Sequence, residues 1–352
     1  MRAPKPAAGT SAKYRLKEVA RSEARHYRLR LPAVASWVAV TRSNPALRWV
    51  SRRPRRGAGS QEGRQAGAPI SWMTATERVL QLIMKLRDSI RPAAVAGSFY
   101  PAEPGALARD VSLMLAAAEQ PESAPAAPKA IIAPHAGYVY SGPVAAQAYA
   151  VLRSARDRIR RVVLLGPCHR VPVRGLAVPT VEAFASPLGS VAIDRRAIAL
   201  VADLPQVVVS DDAHAHEHSL EVHLPFLQSV LQEFEMVPFA VGRASPEEVA
   251  EVLDRLWGGD ETLIVVSSDL SHYLPYAVAQ QMDRETVNAI LRLDVAIDHE
   301  QACGGTPVNG LLLAARRRRL RARLLDLRNS GDTAGDRNRV VGYCSIAFEE
   351  SV

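Results

Sequence analysis

The sequence predicts an α/β fold, and three observations carry that expectation. Apolar, β-branched runs at Ala130–Ala133, Arg161–Gly166 and Thr262–Ser267 are bounded by Pro, Gly or polar turns, as buried strands are. Segments with apolar residues at helical spacing lie between them. Each strand also runs straight into polar chemistry: Pro134-His135, Pro167-Cys168-His169, and Ser268-Asp269-Leu270-Ser271-His272. Ligands of open α/β sheets sit just beyond the carboxyl ends of strands, so these three loops are where a site is expected.

Composition narrows the classes. Hydrophobic residues make up 48% of the 352, enough for a sizeable core. No apolar run approaches the ~18 residues of a membrane helix, so no membrane partner is expected. Three cysteines, Cys168, Cys303 and Cys344, cannot build a disulfide framework, and their odd count predicts reduced thiols in a cytoplasmic protein. The net charge of +8 is unevenly placed. Residues 1–72 hold 16 Lys/Arg and 3 Asp/Glu, a balance of +13, and the remainder sits at −5. The Arg-rich, acid-poor composition of 1–72 cannot bury enough apolar surface to order itself. It reads as a basic arm for nucleic acid or anionic lipid, as a transit peptide, or as an upstream start called too early. Met73 opens a helical pattern over 74–87, and Met84 is a second candidate start. The apolar patch 31–40 is broken by Pro32 and starts too far in for a signal peptide. The expected organisation is therefore 1–72 as arm or mis-called start and 73–352 as one α/β domain.

In order, Arg91–Tyr100 is expected to be extended. Glu103 and Pro104 open a helix over 105–119 with Leu107, Val111, Met114 and Leu115 inward, and 121–128 is a loop. After the first strand, Pro143 starts a helix to Ala155. Leu176–Pro179 and Gly189–Ile193 read as strands, and Asp194 caps a helix to Ala202. The stretch Asp211–Leu224 (DDAHAHEHSLEVHL) is dense in His and acid, with a helical pattern from Ser219 that places Ser219 and His223 on one face and Glu221 on another. Met236–Val241 is a strand. Ser245, with Glu248 three residues on, is a capping box for a helix through Trp257. Ala277–Leu293 is a helix, Cys303–Pro307 a Gly-rich turn, Val308–Leu320 a helix, and Leu324–Asn329 and Val340–Glu349 the last strands. The Arg316–Arg319 run reads as a solvated helix end that suits the dipole, so nucleic acid is not the expected partner.

Two histidines and a further ligand on one face make an open metal site. Imidazole with a thiolate suits Fe(II), Zn or Cu better than Mg or Ca. Asp269 is a candidate carboxylate ligand or an orienter of a ligating His. His272, or a member of the 214–223 cluster such as His218, is a candidate general base. Cys303 before a helix sits where the dipole favours a thiolate. A metal site and a metal-free hydrolase pairing Cys303 with a His both remain open on residues alone. Cys168 and Cys344 read as small buried residues.

The stretches APHAGYVYSG (133–142), LGPCHRVP (165–172), HEHSLEVHLPFL (216–227), SSDLSHY (267–273) and CGGTPVNGLL (303–312) together resemble the Memo family. These are the relatives of the mediator of ErbB2-driven cell motility, also described as AmmeMemoRadiSam system protein B. The resemblance spans about 91–349. It implies a three-layer α/β/α sandwich with a central mixed sheet, like the class III extradiol dioxygenases of the LigB type. It implies a pocket in which His135, His169 and Cys303 hold Fe(II) or Cu, with Zn as a further option. Asp269 and His272 line the same pocket, and Cys168 stands where the family often has Ser. The implied function is metal-dependent redox chemistry on an unknown small molecule or peptide, in a pathway with radical-SAM and AMMECR1-type proteins. The alternative is a non-catalytic protein- or peptide-binding module using the pocket.

Overall fold

The computed structural model describes residues 89–118 and 127–350. The arm 1–72, both candidate starts, the helix expected over 74–87 and most of the 121–128 loop lie outside them.

The chain enters through a short strand, β1 (Ile90–Arg91), and residues to Tyr100 form turns instead of the expected extended run. Helix α1 (Pro104–Ala117) starts as expected. Glu103 caps it by accepting from the Gly105 and Ala106 amides, and Pro104 fills the first turn, where an N–H has no helical partner. β2 (Ala130–Ala133) is fully buried. α2 (Tyr138–Ala150) begins five residues before Pro143, so that proline lies inside the helix and not at its start. The carbonyl that loses its partner is that of Val139, a solvent-exposed residue.

β3 (Arg161–Pro167), β4 (Leu176–Val178), β5 (Ala183–Ser186) and β6 (Gly189–Ala192) follow. Then come α3 (Arg195–Ala199), capped by Asp194, β7 (Val207–Val209) and α4 (Asp211–Ala215). The helix expected from Ser219 is delayed. Glu221–His223 is a single 3-10 turn, and α5 (Leu224–Val230) begins where Pro225 fits the first turn. β8 (Glu235–Val241) and α6 (Pro246–Leu256) match the sequence reading, and the Ser245–Glu248 capping box is present with both bonds. β9 (Thr262–Ser267), β10 (His272–Leu274), α7 (Tyr276–Leu291), α8 (Gly305–Arg317), β11 (Arg321–Asn329), the short α9 (Ser330–Thr333) and β12 (Val340–Glu349) complete the described chain.

One mixed sheet runs β10-β12-β2-β9-β3-β8-β4-β7, with β11 also paired to β12. Its centre, β2-β9-β3-β8, is parallel. β5 and β6 form a small separate sheet with β1. Alternation along β3 divides the core. Val162 and Leu164 pack with Leu107, Tyr149 and Phe226 from α1, α2 and α5. Val163 and Leu165 pack with Val252, Val287 and Leu311 from α6, α7 and α8. Helices therefore cover both faces, and the central strands are apolar on both sides, as buried parallel strands are. The carboxyl ends of β2, β9 and β3 lie side by side.

Candidate metal centre

Each of those three ends delivers chemistry two residues on: His135 after β2, Asp269 after β9 and His169 after β3. The turn between α4 and α5 adds His218. Ring nitrogens of His135, His169 and His218 lie within 4.8 Å of one another. The His169 and His218 rings are stacked with centroids 4.8 Å apart, and both stand edge-on to His135 at 5.2 and 5.5 Å. Exposure is graded: His135 is buried, His218 partly covered and His169 exposed, so the group opens outward from His135.

The surroundings hold these rings as ligands are held. His135 Nδ1 lies 2.6 Å from Ser267 Oγ. His169 Nδ1 lies 2.9 Å from Glu217 Oε1, and the bond to this carboxylate leaves Nε2 with its lone pair free. Glu217 also accepts from the backbone amides of His169, His218 and Ser219. Burial alone would raise its pKa, but the His169 ring and these amides outweigh burial and hold it at about 2. Glu217 is therefore a fixed anion beneath the group. His218 Nδ1 is buried without a hydrogen bond, although Glu217 Oε1 lies 3.3 Å away out of line. Burial drives His218 down to about 4 and His135 well below the ordinary range, so both are neutral, the form that binds metal.

Cys303 Sγ lies 3.3 Å from His135 Nε2. The sequence suggested a thiolate favoured by the helix dipole; here burial, then Asp269, push the thiol up to about 12. A thiol so protonated is a poor nucleophile unaided, whereas a bound metal ion deprotonates its thiol ligand outright. Asp269 Oδ1 accepts from the His135 amide at 2.8 Å, and its Oδ2 lies 4.0 Å from His135 Nε2. Burial raises its carboxyl to about 6. His272 opens β10, and its Nδ1 donates to the Leu270 carbonyl at 2.8 Å, which leaves Nε2 free. Cys168 Sγ is turned to the Val171 carbonyl at 3.1 Å. Of the 214–223 histidines, only His218 joins the group. His214 Nε2 bonds the Ala177 carbonyl, His223 Nδ1 bonds the Tyr149 hydroxyl, and His216 is exposed.

Sequence reasoning gave Glu217 and Ser267 no role. The signal for Glu217 was its place between His216 and His218; for Ser267 it was its place as the last strand residue before Ser268-Asp269.

A profile of the Memo-like protein family matches residues 91–347. The chain belongs to the Memo family. A MEMO1 family protein of Methanosarcina barkeri is 37% identical, over 74% of this chain and 100% of its own length. One from Methanopyrus kandleri is 39% identical over 73% and 98%, and one from Aquifex aeolicus 36% over 74% and 99%. The Memo match encloses all three histidines, Cys303 and Glu217. The three imidazoles gathered in this Memo chain, with the Cys303 thiol beside His135, suit a borderline transition metal better than Mg or Ca. The unpartnered His218 Nδ1 and the Nδ1-anchored His169 fit such an ion as well.

Proposed function

We propose that this Memo protein binds a transition metal at the carboxyl end of its sheet and uses it for redox chemistry on a small molecule or peptide. The single observation that carries the reading is the group of three imidazoles whose ring nitrogens lie within 4.8 Å of one another. In the finer assignment, His135, His169 and Cys303 hold iron or copper, with zinc as the substitute. His218 and His272 serve as acid–base groups, and Asp269 orients the His135 loop. A bound iron or copper ion would supply one-electron chemistry and Lewis acidity. The fold analogy with class III extradiol dioxygenases, a cytoplasmic location and a shared pathway with radical-SAM and AMMECR1-type proteins belong to the same proposal.

Metal analysis of protein purified without oxygen or a metal-binding tag tests it. The expected result is near-stoichiometric iron or copper in the wild type, lost in His135→Ala and Cys303→Ser and kept in His218→Ala. Metal kept in Cys303→Ser but lost in His218→Ala would replace the assignment by a three-imidazole site. No metal after reconstitution would sink the reading.

A second reading, a peptide-binding pocket, draws on Tyr140 and Tyr273, which expose 40% and 62% of their surface beside His272 and the Gly137 turn. Peptide capture that survives His135→Ala and Cys303→Ser would favour it.

A further inference from the structure

Ser267 ends β9 and is fully buried. Its hydroxyl oxygen is 2.6 Å from His135 Nδ1 and 2.6 Å from the Ser219 carbonyl oxygen. A hydroxyl has one proton to give, and a carbonyl can only accept. The Ser267 proton therefore goes to Ser219, and the other contact is a hydrogen bond only if the His135 ring is the donor. That places the ring proton on Nδ1 and the lone pair on Nε2, the atom 3.3 Å from Cys303 Sγ.

The chain of bonds continues past Ser219. Its amide donates to Glu217 Oε1 at 2.9 Å, the same oxygen that accepts from His169 Nδ1–H at 2.9 Å. Its own hydroxyl donates to the Pro167 carbonyl at 2.8 Å, pinning the turn to the end of β3. Close packing there depends on Gly166, since a Cβ at that position would come within 2.7 Å of Ser219 Oγ. One residue, Ser219, thus joins the contact that orients His135, through its carbonyl, to the contact that orients His169, through its amide.

We propose that Ser267 is a positioning residue for the metal: held by the Ser219 carbonyl, it fixes His135 in the Nδ1–H tautomer, presents Nε2 to the ion, and through the Ser219 backbone ties that choice to the His169–Glu217 pair. Its purpose rests on the metal-binding reading above, but the tautomer is a property of the metal-free chain and is read there.

The test has two readouts. Two-bond proton–nitrogen NMR of the metal-free, full-length protein gives the tautomer of each ring, with the His135 signals identified by their loss in His135→Gln. Competition against a chromophoric chelator gives zinc affinity. The wild type is expected to show an Nδ1-protonated His135. Ser267→Ala is expected to lose that single pattern and to bind zinc roughly 10–100-fold more weakly, the range for outer partners of metal ligands. Ser267→Thr keeps the hydroxyl and is expected to restore both. An Nε2-protonated His135 in a wild type that binds zinc would overturn the relay alone. So would a Ser267→Ala protein unchanged in tautomer and affinity. An Nδ1-protonated wild type that takes up no zinc, iron or copper would overturn the metal reading and the relay's purpose with it. Should Ser267→Ala not fold, the wild-type spectrum and the Ser267→Thr protein decide between these results.

Discussion

Glu217 and Glu221 are four residues apart, both are buried, and each is surrounded by donors, yet the donors are of two kinds. Glu221 accepts from Arg91 at 2.7 Å, from the amides of Ala94 and Val95 at 2.7 and 2.9 Å, and from the Tyr100 hydroxyl at 2.6 Å. All four partners lie in the segment Arg91–Tyr100, and the result ties that segment to the core. Glu217 accepts from backbone amides too, but one partner is the His169 ring, which has a second nitrogen to spare. A carboxylate bonded to fixed donors holds architecture together. One bonded to an imidazole sets what the far side of that ring can do. Arg91 links the two environments by donating also to the His214 and Glu217 carbonyls, at 2.6 Å each.

The largest expected effect comes from breaking the architectural member. Glu221→Ala leaves the Arg91 guanidinium, 3% exposed, buried without its anion. A stability loss of about 3–5 kcal/mol is expected in urea unfolding, as for other buried pairs deprived of one partner. A loss under about 1 kcal/mol would erase the contrast. Glu217→Gln sharpens it from the other side. Zinc affinity should fall about 10–100-fold, with a smaller loss of unfolding free energy than Glu221→Ala causes. The reverse ranking would assign Glu217 to the architecture.

The next effect is on pH dependence. Burial lowers His214 to about 4 and His223 to about 3. Above their ordinary value near 6.5 both are neutral folded or unfolded, so they add no pH dependence there. As pH falls below it, the unfolded chain takes up protons that the native chain refuses. Stability then drops by up to about 1.4 kcal/mol per pH unit for each histidine, down to the folded values. Urea midpoints at pH 7, 6 and 5 should show this decline, and His214→Gln should flatten it. The carboxylate of Glu217 adds its loss only below about 4.5, as its folded value is about 2. The smallest effect is expected at the Arg run. Arg317 pairs with Asp254 at 2.8 Å while 45% exposed. Arg317→Ala should change stability by less than about 1 kcal/mol. Unfolding curves check this, and a larger loss would mean that the surface pair carries more than its exposure allows.

Much of the architecture was readable in the residues. β2, β3 and β9 are runs of branched apolar residues buried on both sides, and periodicity marks such strands plainly. β5 and β7 went unread because they have only four and three residues, too short for alternation to register. The helix read from Ser219 failed because Leu220 and Leu224 are buried for tertiary reasons, while Pro225 sets the real start. At the site, His135, His169 and Asp269 were legible because each lies two residues past a strand. His218 was singled out from the 214–223 cluster as a candidate base, but that it stands against the His135 and His169 rings was not legible. That placement depends on a turn between α4 and α5 whose path is fixed by bonds to Pro167 and Ser267, about 50 residues away in either direction. The upward push on the Cys303 thiol was not legible because a dipole can be read from sequence and burial cannot.

The strand order carries one more meaning. β9 lies between β2 and β3 and is hydrogen bonded in register to both, from Ala130↔Ile264 on one side to Leu165↔Val266 on the other. His135 and His169 leave from the outer two strands, and Ser267 and Asp269 from the middle one. The separation of the two strands that carry the outer histidines is therefore gauged by two backbone ladders, each about 4.8 Å wide. Side-chain rotation can swing the rings, whose centroids are 5.2 Å apart, but the backbones they start from can separate only if the ladders slip. The backbone under the group is in this sense a die and not a clasp: the strands set where the histidines start from, and that setting lasts as long as the sheet does.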